Sequence, residues 1–308
     1  MKVTIKTMDD RQKKSRFILA FMMLCYCLPI AYVFAAKNMG INAENNSFII
    51  FTLLFQPFYL FVIPTVILSK AFNINLKQTL PLKELRGSEI LVVILLTVLF
   101  LPLMSVVASV LSRYVNTSSS AAVSAYIQAF PLPLSLLVFA LLPAISEELV
   151  FRGVFLTILR EYSEIEAIVI SAVFFGLAHN NAYQYGYGFF AGLFLAYLVC
   201  STGSLYASVI SHFTINALQV VLAYIFKNTS QIANITEEAA KQTTFKQNSI
   251  LIVIFFGLFC ITAEQFSKRH KIEGKKFVGD SLQDKNIITA VLLSAIAVLW
   301  ASIKARGM

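Results

Sequence analysis

The stretch Pro143-Ala-Ile-Ser-Glu147-Glu148-Leu-Val-Phe-Arg152-Gly153 lies inside the otherwise apolar run Pro131–Leu159 and decides the fold. The run is long enough to cross a hydrocarbon core of roughly 30 Å as a helix. Yet it holds three ionisable side chains, Glu147, Glu148 and Arg152. On insertion scales each such group costs about 2.5 to 3.5 kcal/mol at the centre of a membrane helix. So large a penalty requires a structural or chemical reason.

The rest of the chain supports the membrane setting. Of 308 residues, 58% are hydrophobic and only 13% charged, where a soluble domain carries about 25% charge. Apolar runs recur along the whole length, and strand-like alternation is absent, which argues against a β-barrel. The spacing predicts an all-α, polytopic membrane helical bundle with about 8–9 transmembrane helices. The first four candidate spans are Phe17–Ala36, Phe48–Leu68, Glu89–Leu111 and Pro131–Leu159. The other five are Ile165–His179, Gly186–Cys200, Leu205–Phe226, Ile250–Phe266 and Ile287–Ile303, the first two of them short enough for a tilted or re-entrant hairpin. By content the chain divides into N-terminal helices (1–130), a motif-bearing four-helix core (131–226) and a C-terminal loop with helices (227–308), read together as a single membrane domain.

Charge placement supplies the orientation. Lys2, Lys6, Arg11, Lys13, Lys14 and Arg16 precede the first span, and further basic residues fill the loops after the second and eighth. An excess of Lys and Arg marks the cytoplasmic side, so the N-terminus is expected inside, and Lys304 and Arg306 run mildly against the external C-terminus this implies. The net charge of +9 is thus a signature of membrane orientation, and nucleic acid is not needed to explain it. The segment Leu76–Arg86 reads equally as an interfacial helix or a solvated loop. Cys25, Cys27, Cys200 and Cys260 all fall in apolar segments without a CxxC pair and read as core filler.

The polar residues of the spans form a pattern. Glu148 and Arg152 are one helical turn apart and can pair, whereas Glu147 is offset by about 100° and stays outside that pair. A carboxylate kept from water and from cations is a stronger base, as general-base chemistry requires. His179 ends the fifth span, and His212 and Asn216 share a face of the seventh. At 1.5 Å per residue, Glu147 lies roughly 20 Å from Arg160, His179 roughly 21 Å from Ile165, and Asn216 and His212 roughly 18 and 13 Å from Gly203. The depths are similar, so the groups can converge. His270 sits in a basic stretch and reads as surface. Gly188, Gly192 and Ala196 form a small-xxx-small stripe that lets neighbouring helices close around the polar groups.

The ordered motifs Glu147-Glu148-x-x-x-Arg152, Phe175-x-x-x-His179 and His212-x-x-x-Asn216 resemble the CAAX protease and bacteriocin-processing (CPBP, Abi) family of intramembrane endopeptidases. The resemblance implies peptide-bond hydrolysis at the membrane of a bacterial cell. Glu147 would activate water with help from His179, and His212 and Asn216 would stabilise the oxyanion. Glu148 and Arg152 would hold the site. It leaves a metal open: zinc on Glu147, His179 and His212 is one reading, and a cofactor-free glutamate mechanism is the preferred one. The expected partners are the lipid bilayer and a peptide or membrane-protein substrate, prenylated or a bacteriocin or signal-peptide precursor. Two other functions fit the residues. One is a non-proteolytic self-immunity protein of the same family, and the other a transporter with an intramembrane Glu/His relay. Against the transporter, no paired broken helices occur in two halves.

Overall fold

Phenylalanine contacts explain how the first and fourth spans meet. In the computed structural model, which describes residues 2–41, 46–112, 114–115, 118–179, 181–225, 245–270 and 284–306, Phe17 and Phe21 pack edge-on against Phe155, at 6.1 and 5.4 Å between ring centroids. Phe151 carries the seam on to Phe175 at 5.4 Å. Edge-to-face aromatic pairs contribute about 0.5 to 1.5 kcal/mol each beyond the area they bury. This buried seam sets the neighbours of the polar residues.

The elements in order are α1 (Lys2–Asn38), α2 (Asn46–Pro57, a π-helical stretch Phe58–Val62, then Ile63–Ala71), α3 (Leu76–Thr79) and α4 (Gly87–Leu111). They continue as α5 (Ser118–Ala129), α6 (Leu132–Leu159), α7 (Glu164–Leu177), α8 (Ala182–Thr202), α9 (Leu205–Ile225), α10 (Phe245–His270) and α11 (Lys285–Arg306). Among the described residues there is no strand, only an isolated bridge between Leu82 and Ser204. Among the described residues six helices are long and apolar enough to cross a membrane: α1, α2, α4, α6, α8 and α9. The 14-residue α7 is too short to cross alone, about 21 Å by rise, and α10 and α11 carry apolar stretches over the residues whose side chains are described (Val253–Phe266 and Lys285–Ile296). The protein is a multi-pass helical membrane bundle.

Proline accounts for two of the three π-helical stretches. A proline ring clashes with the carbonyl four residues back. For Pro64 that is Leu60, and for Pro143 it is Phe139; both lie inside the π-helical stretches, Phe58–Val62 and Leu137–Leu141. The third, Leu149–Phe155, has no proline and holds Arg152 and Gly153. Stretches of this kind are frequent at functional sites.

Several expectations change. Residues 112–130, read as a loop, contain α5, because a Ser/Ala-rich run is too weakly apolar to signal a span. Only Leu76–Thr79 of the candidate interfacial segment is helical. The remainder crosses under α8 and α9 as an extended strap, in which the Leu205 amide donates to the Pro81 carbonyl at 2.7 Å and Lys83 Nζ to the Thr202 carbonyl at 3.0 Å. Cys27 and Cys260 are exposed on the bundle and are not core filler; Cys25 and Cys200 are buried. The backbone of α10 runs through His270, whose side chain lies outside the described residues, as do the charge-bearing loops 226–244 and 271–283.

One end of the bundle gathers charges from distant parts of the sequence. Lys14 Nζ lies 2.7 Å from Glu161 Oε1 in the α6–α7 turn, and Tyr162 donates to Asp284 Oδ2 at 3.0 Å. Asn286 Nδ2 donates to Ser15 Oγ at 3.0 Å. The start of α1, the end of α6 and the start of α11 therefore lie at the same end of the bundle.

Candidate active site

Glu148 and Arg152 pair as their spacing predicts, with Arg152 Nη1 donating to Glu148 Oε1 at 3.0 Å and both side chains fully buried. A buried charge is tolerated only when paired and hydrogen-bonded. Arg152 finds two further partners. Nη2 donates to the Gly192 carbonyl on α8 at 3.3 Å, and the guanidinium carbon sits 4.0 Å from the centroid of the Phe175 ring. The planar, always-charged guanidinium suits both contacts, and a lysine could not reproduce them.

The same Glu148 oxygen joins the first motif to the third. His212 Nδ1 lies 2.8 Å from Oε1. The carboxylate accepts, so Nδ1 carries the proton and Nε2 faces away from Glu148. Glu148 Oε2 and Arg152 Nε are buried without a hydrogen-bond partner among the described residues. Next to His212, the Ser211 and Thr97 hydroxyls are hydrogen-bonded at 2.7 Å, which ties α9 to α4.

Phe175 links in the second motif. Besides covering Arg152, its ring meets His179 and His212 edge-on at 5.1 and 5.8 Å. His179 Nδ1 bonds the Phe175 carbonyl at 2.8 Å. A carbonyl only accepts, so Nδ1–H is the donor and Nε2 of the neutral ring is left as an acceptor. The His179 carbonyl accepts from Asn181 Nδ2 at 3.0 Å, while Asn181 Oδ1 caps α8 by accepting from the Gln184 amide at 2.8 Å. Asn180, the neighbour in this turn, lies outside the described residues.

Glu147 and Asn216 are half-buried and their side chains make no hydrogen bond among the described residues. The Glu147 carboxylate is close enough to act electrostatically on Arg152 and on Cys25 of α1. The pair of glutamates thus divides as its helical geometry predicts: one is locked into a charge cluster and the other is left with a free carboxylate. Of the six residues singled out from sequence, Arg152 and His212 both bond Glu148, and His179 joins them through Phe175. Glu147 flanks the cluster, and Asn216 lies one turn beyond His212.

The small-xxx-small stripe does more than pack. A Cβ on Gly192 would come within 2.9 Å of Ala172 Cα and 3.3 Å of Arg152 Nη2, and one on Gly188 within 3.3 Å of Gly176 Cα and 3.6 Å of His179 Nδ1. The missing side chains let α7 and α8 approach and bring Arg152 to the Gly192 carbonyl. The spacing signalled the packing; the anchoring of Arg152 and the central place of Phe175 depend on helix rotation, which spacing alone does not fix.

The alternative zinc set is Glu147, His179 and His212. Among the described residues no three His, Cys, Asp or Glu side chains are grouped so as to hold a metal ion.

Fold and site together define a multi-pass membrane protein with a buried Glu–Arg–His cluster on packed helices. Residues 129–218 match the family described as Type II CAAX prenyl endopeptidase Rce1-like, a protease family, and the match encloses all six residues of the site. The three motifs fall within the matched segment. Neither a curated protein nor a solved structure matches the chain.

Proposed function

We propose that the protein is an intramembrane endopeptidase that hydrolyses a peptide bond in a membrane-associated substrate. The observation that carries this reading is the double use of Glu148 Oε1 by Arg152 and His212, which assembles two of the three motifs beside the free carboxylate of Glu147. Glu147 takes a proton from water, with His179 Nε2 as a second acceptor, as the water oxygen attacks the scissile carbonyl carbon. The oxyanion that forms accepts from Asn216 Nδ2 and from His212 Nε2. His212 donates there when its ring is protonated, and the Glu148 carboxylate at Nδ1 stabilises that imidazolium. The proton held by Glu147 passes to the amine nitrogen as the C–N bond breaks. No step is routed through a metal.

The substrate belongs to the peptides that reach such a depth: a prenylated C-terminal segment, a bacteriocin or signalling-peptide precursor, or a membrane-protein helix. The N-terminus lies in the cytoplasm, supported by the basic residues before the first span, and a bacterial cell membrane is the setting that the family resemblance implies.

Intact-mass analysis of membrane-tethered reporter peptides, incubated with the purified protein in detergent, tests the proposal. Glu147→Gln is expected to lower the rate by about 10² to 10⁴, the contribution of a general base. An equal rate for wild type and variant excludes the assigned role. Chelation is expected to leave the rate unchanged, and a loss that zinc restores would overturn the metal-free route.

A further inference from the structure

The matched segment begins at residue 129, yet α1 reaches the site on two sides. Cys25 is buried within electrostatic reach of Glu147. On the next residue, the Tyr26 hydroxyl donates to the Leu177 carbonyl at 2.5 Å and lies 3.4 Å from the Ser294 carbonyl of α11. Leu177 is the last residue of α7, two before His179. The final carbonyls of a helix have no partner within it, and one left bare in an apolar setting costs free energy. Tyr26 supplies that partner from another span.

The turn that carries His179 is therefore held from three directions. Within α7, the imidazole donates to the Phe175 carbonyl at 2.8 Å. From α8, Asn181 donates to the His179 carbonyl at 3.0 Å. From α1, Tyr26 fixes the carbonyl just ahead. The Phe17 and Phe21 contacts with Phe155 set the position of α1 against α6, so the hydroxyl arrives from a packed helix.

We propose that Tyr26 is a positioning residue of the active site, its hydroxyl pinning the last turn of α7 so that His179 presents Nε2 to the water held by Glu147. The site is then completed by the first membrane helix, outside the family segment. This rests on the endopeptidase reading of the same cluster.

The test compares wild type, Glu147→Gln, Tyr26→Phe and Tyr32→Phe on the membrane-tethered reporter, with kcat, KM and Tm measured across pH. Tyr26→Phe keeps the ring and its packing. It is expected to lower kcat about tenfold at unchanged KM, the size of one net hydrogen bond expressed in the transition state. It is also expected to displace the acid limb of the kcat–pH profile. Tyr32 bonds Thr52 at 2.7 Å on α2, and Tyr32→Phe is expected to leave kcat and the profile unchanged. If Glu147→Gln is inactive while Tyr26→Phe keeps the wild-type kcat and profile, the positioning role is wrong and the endopeptidase reading stands. If Tyr26→Phe lowers Tm but folded protein keeps both, the residue is merely structural and the proposal falls. If wild type and Glu147→Gln cleave at equal rates, the endopeptidase reading fails and takes this inference with it.

Discussion

Replacing Arg152 by leucine strips the buried cluster of its cation and leaves the Glu148 carboxylate without its ion-pair partner. The wild-type contacts set the scale: a charge-assisted bond at 3.0 Å contributes about 1.5 to 3 kcal/mol, and a desolvated cation over an aromatic face at 4.0 Å about 2 kcal/mol. These terms overlap, and breaking a fully buried pair by removing one partner costs about 3 to 5 kcal/mol in total. Arg152→Leu is expected to lose that much stability in reversible denaturant titration in mixed micelles. Adding Glu148→Gln should recover at least about 2 kcal/mol, because a neutral amide no longer strands a charge and its oxygen still accepts from His212 Nδ1–H. A double variant whose loss is the sum of the two single losses would refute the buried-pair reasoning.

Two further predictions rest on local geometry. Gly192→Ala places a methyl group 2.9 Å from the Ala172 Cα, a backbone atom that cannot yield, and is expected to cost about 1 to 3 kcal/mol in thermal unfolding. At Gly257 nothing lies within 4 Å of an added Cβ, so Gly257→Ala serves as the neutral comparison. In the α6–α7 turn, burial and then the neighbouring Asp284 carboxylate push the Tyr162 phenol above its ordinary value of 10.0. The folded state holds this proton more tightly than the unfolded one, so the stabilisation is complete below pH 10.0 and is lost as pH rises above it. Tm measured from pH 8 to 11 should fall less steeply above about pH 10 in Tyr162→Phe than in wild type, and parallel curves would count against the linkage.

The residues differ in how much of their role the sequence made legible. The Glu148–Arg152 pair is local, one turn of one helix, and its spacing alone announced it. The His212–Glu148 bond spans 64 positions and depends on how α6 and α9 are rotated, a matter of packing that no periodicity records. Gly188 and Gly192 were recognisable as a close-packing stripe, but the use of the Gly192 carbonyl by Arg152 needed a third helix in view. The strap after Leu80 escaped because its order comes from bonds to Thr202 and Leu205, far along the chain, and not from any propensity of its own. Cys27 misled for a different reason: in a bilayer, apolar surroundings do not imply burial inside the protein.

The contacts between the first and last helices carry a consequence for biogenesis. Tyr26 and the Ser294 carbonyl are separated by 268 residues, and Ser15 and Asn286 by 271. At translation rates of about 5 to 20 residues per second, α1 waits roughly 13 to 54 s before α11 is synthesised. The intervening helices have by then entered the membrane, while the wall of α1 beside Glu147 still lacks the neighbour that backs it. Closure of the bundle therefore waits for the synthesis of α11, and the emerging chain passes through an interval in which its polar cluster exists without its finished enclosure.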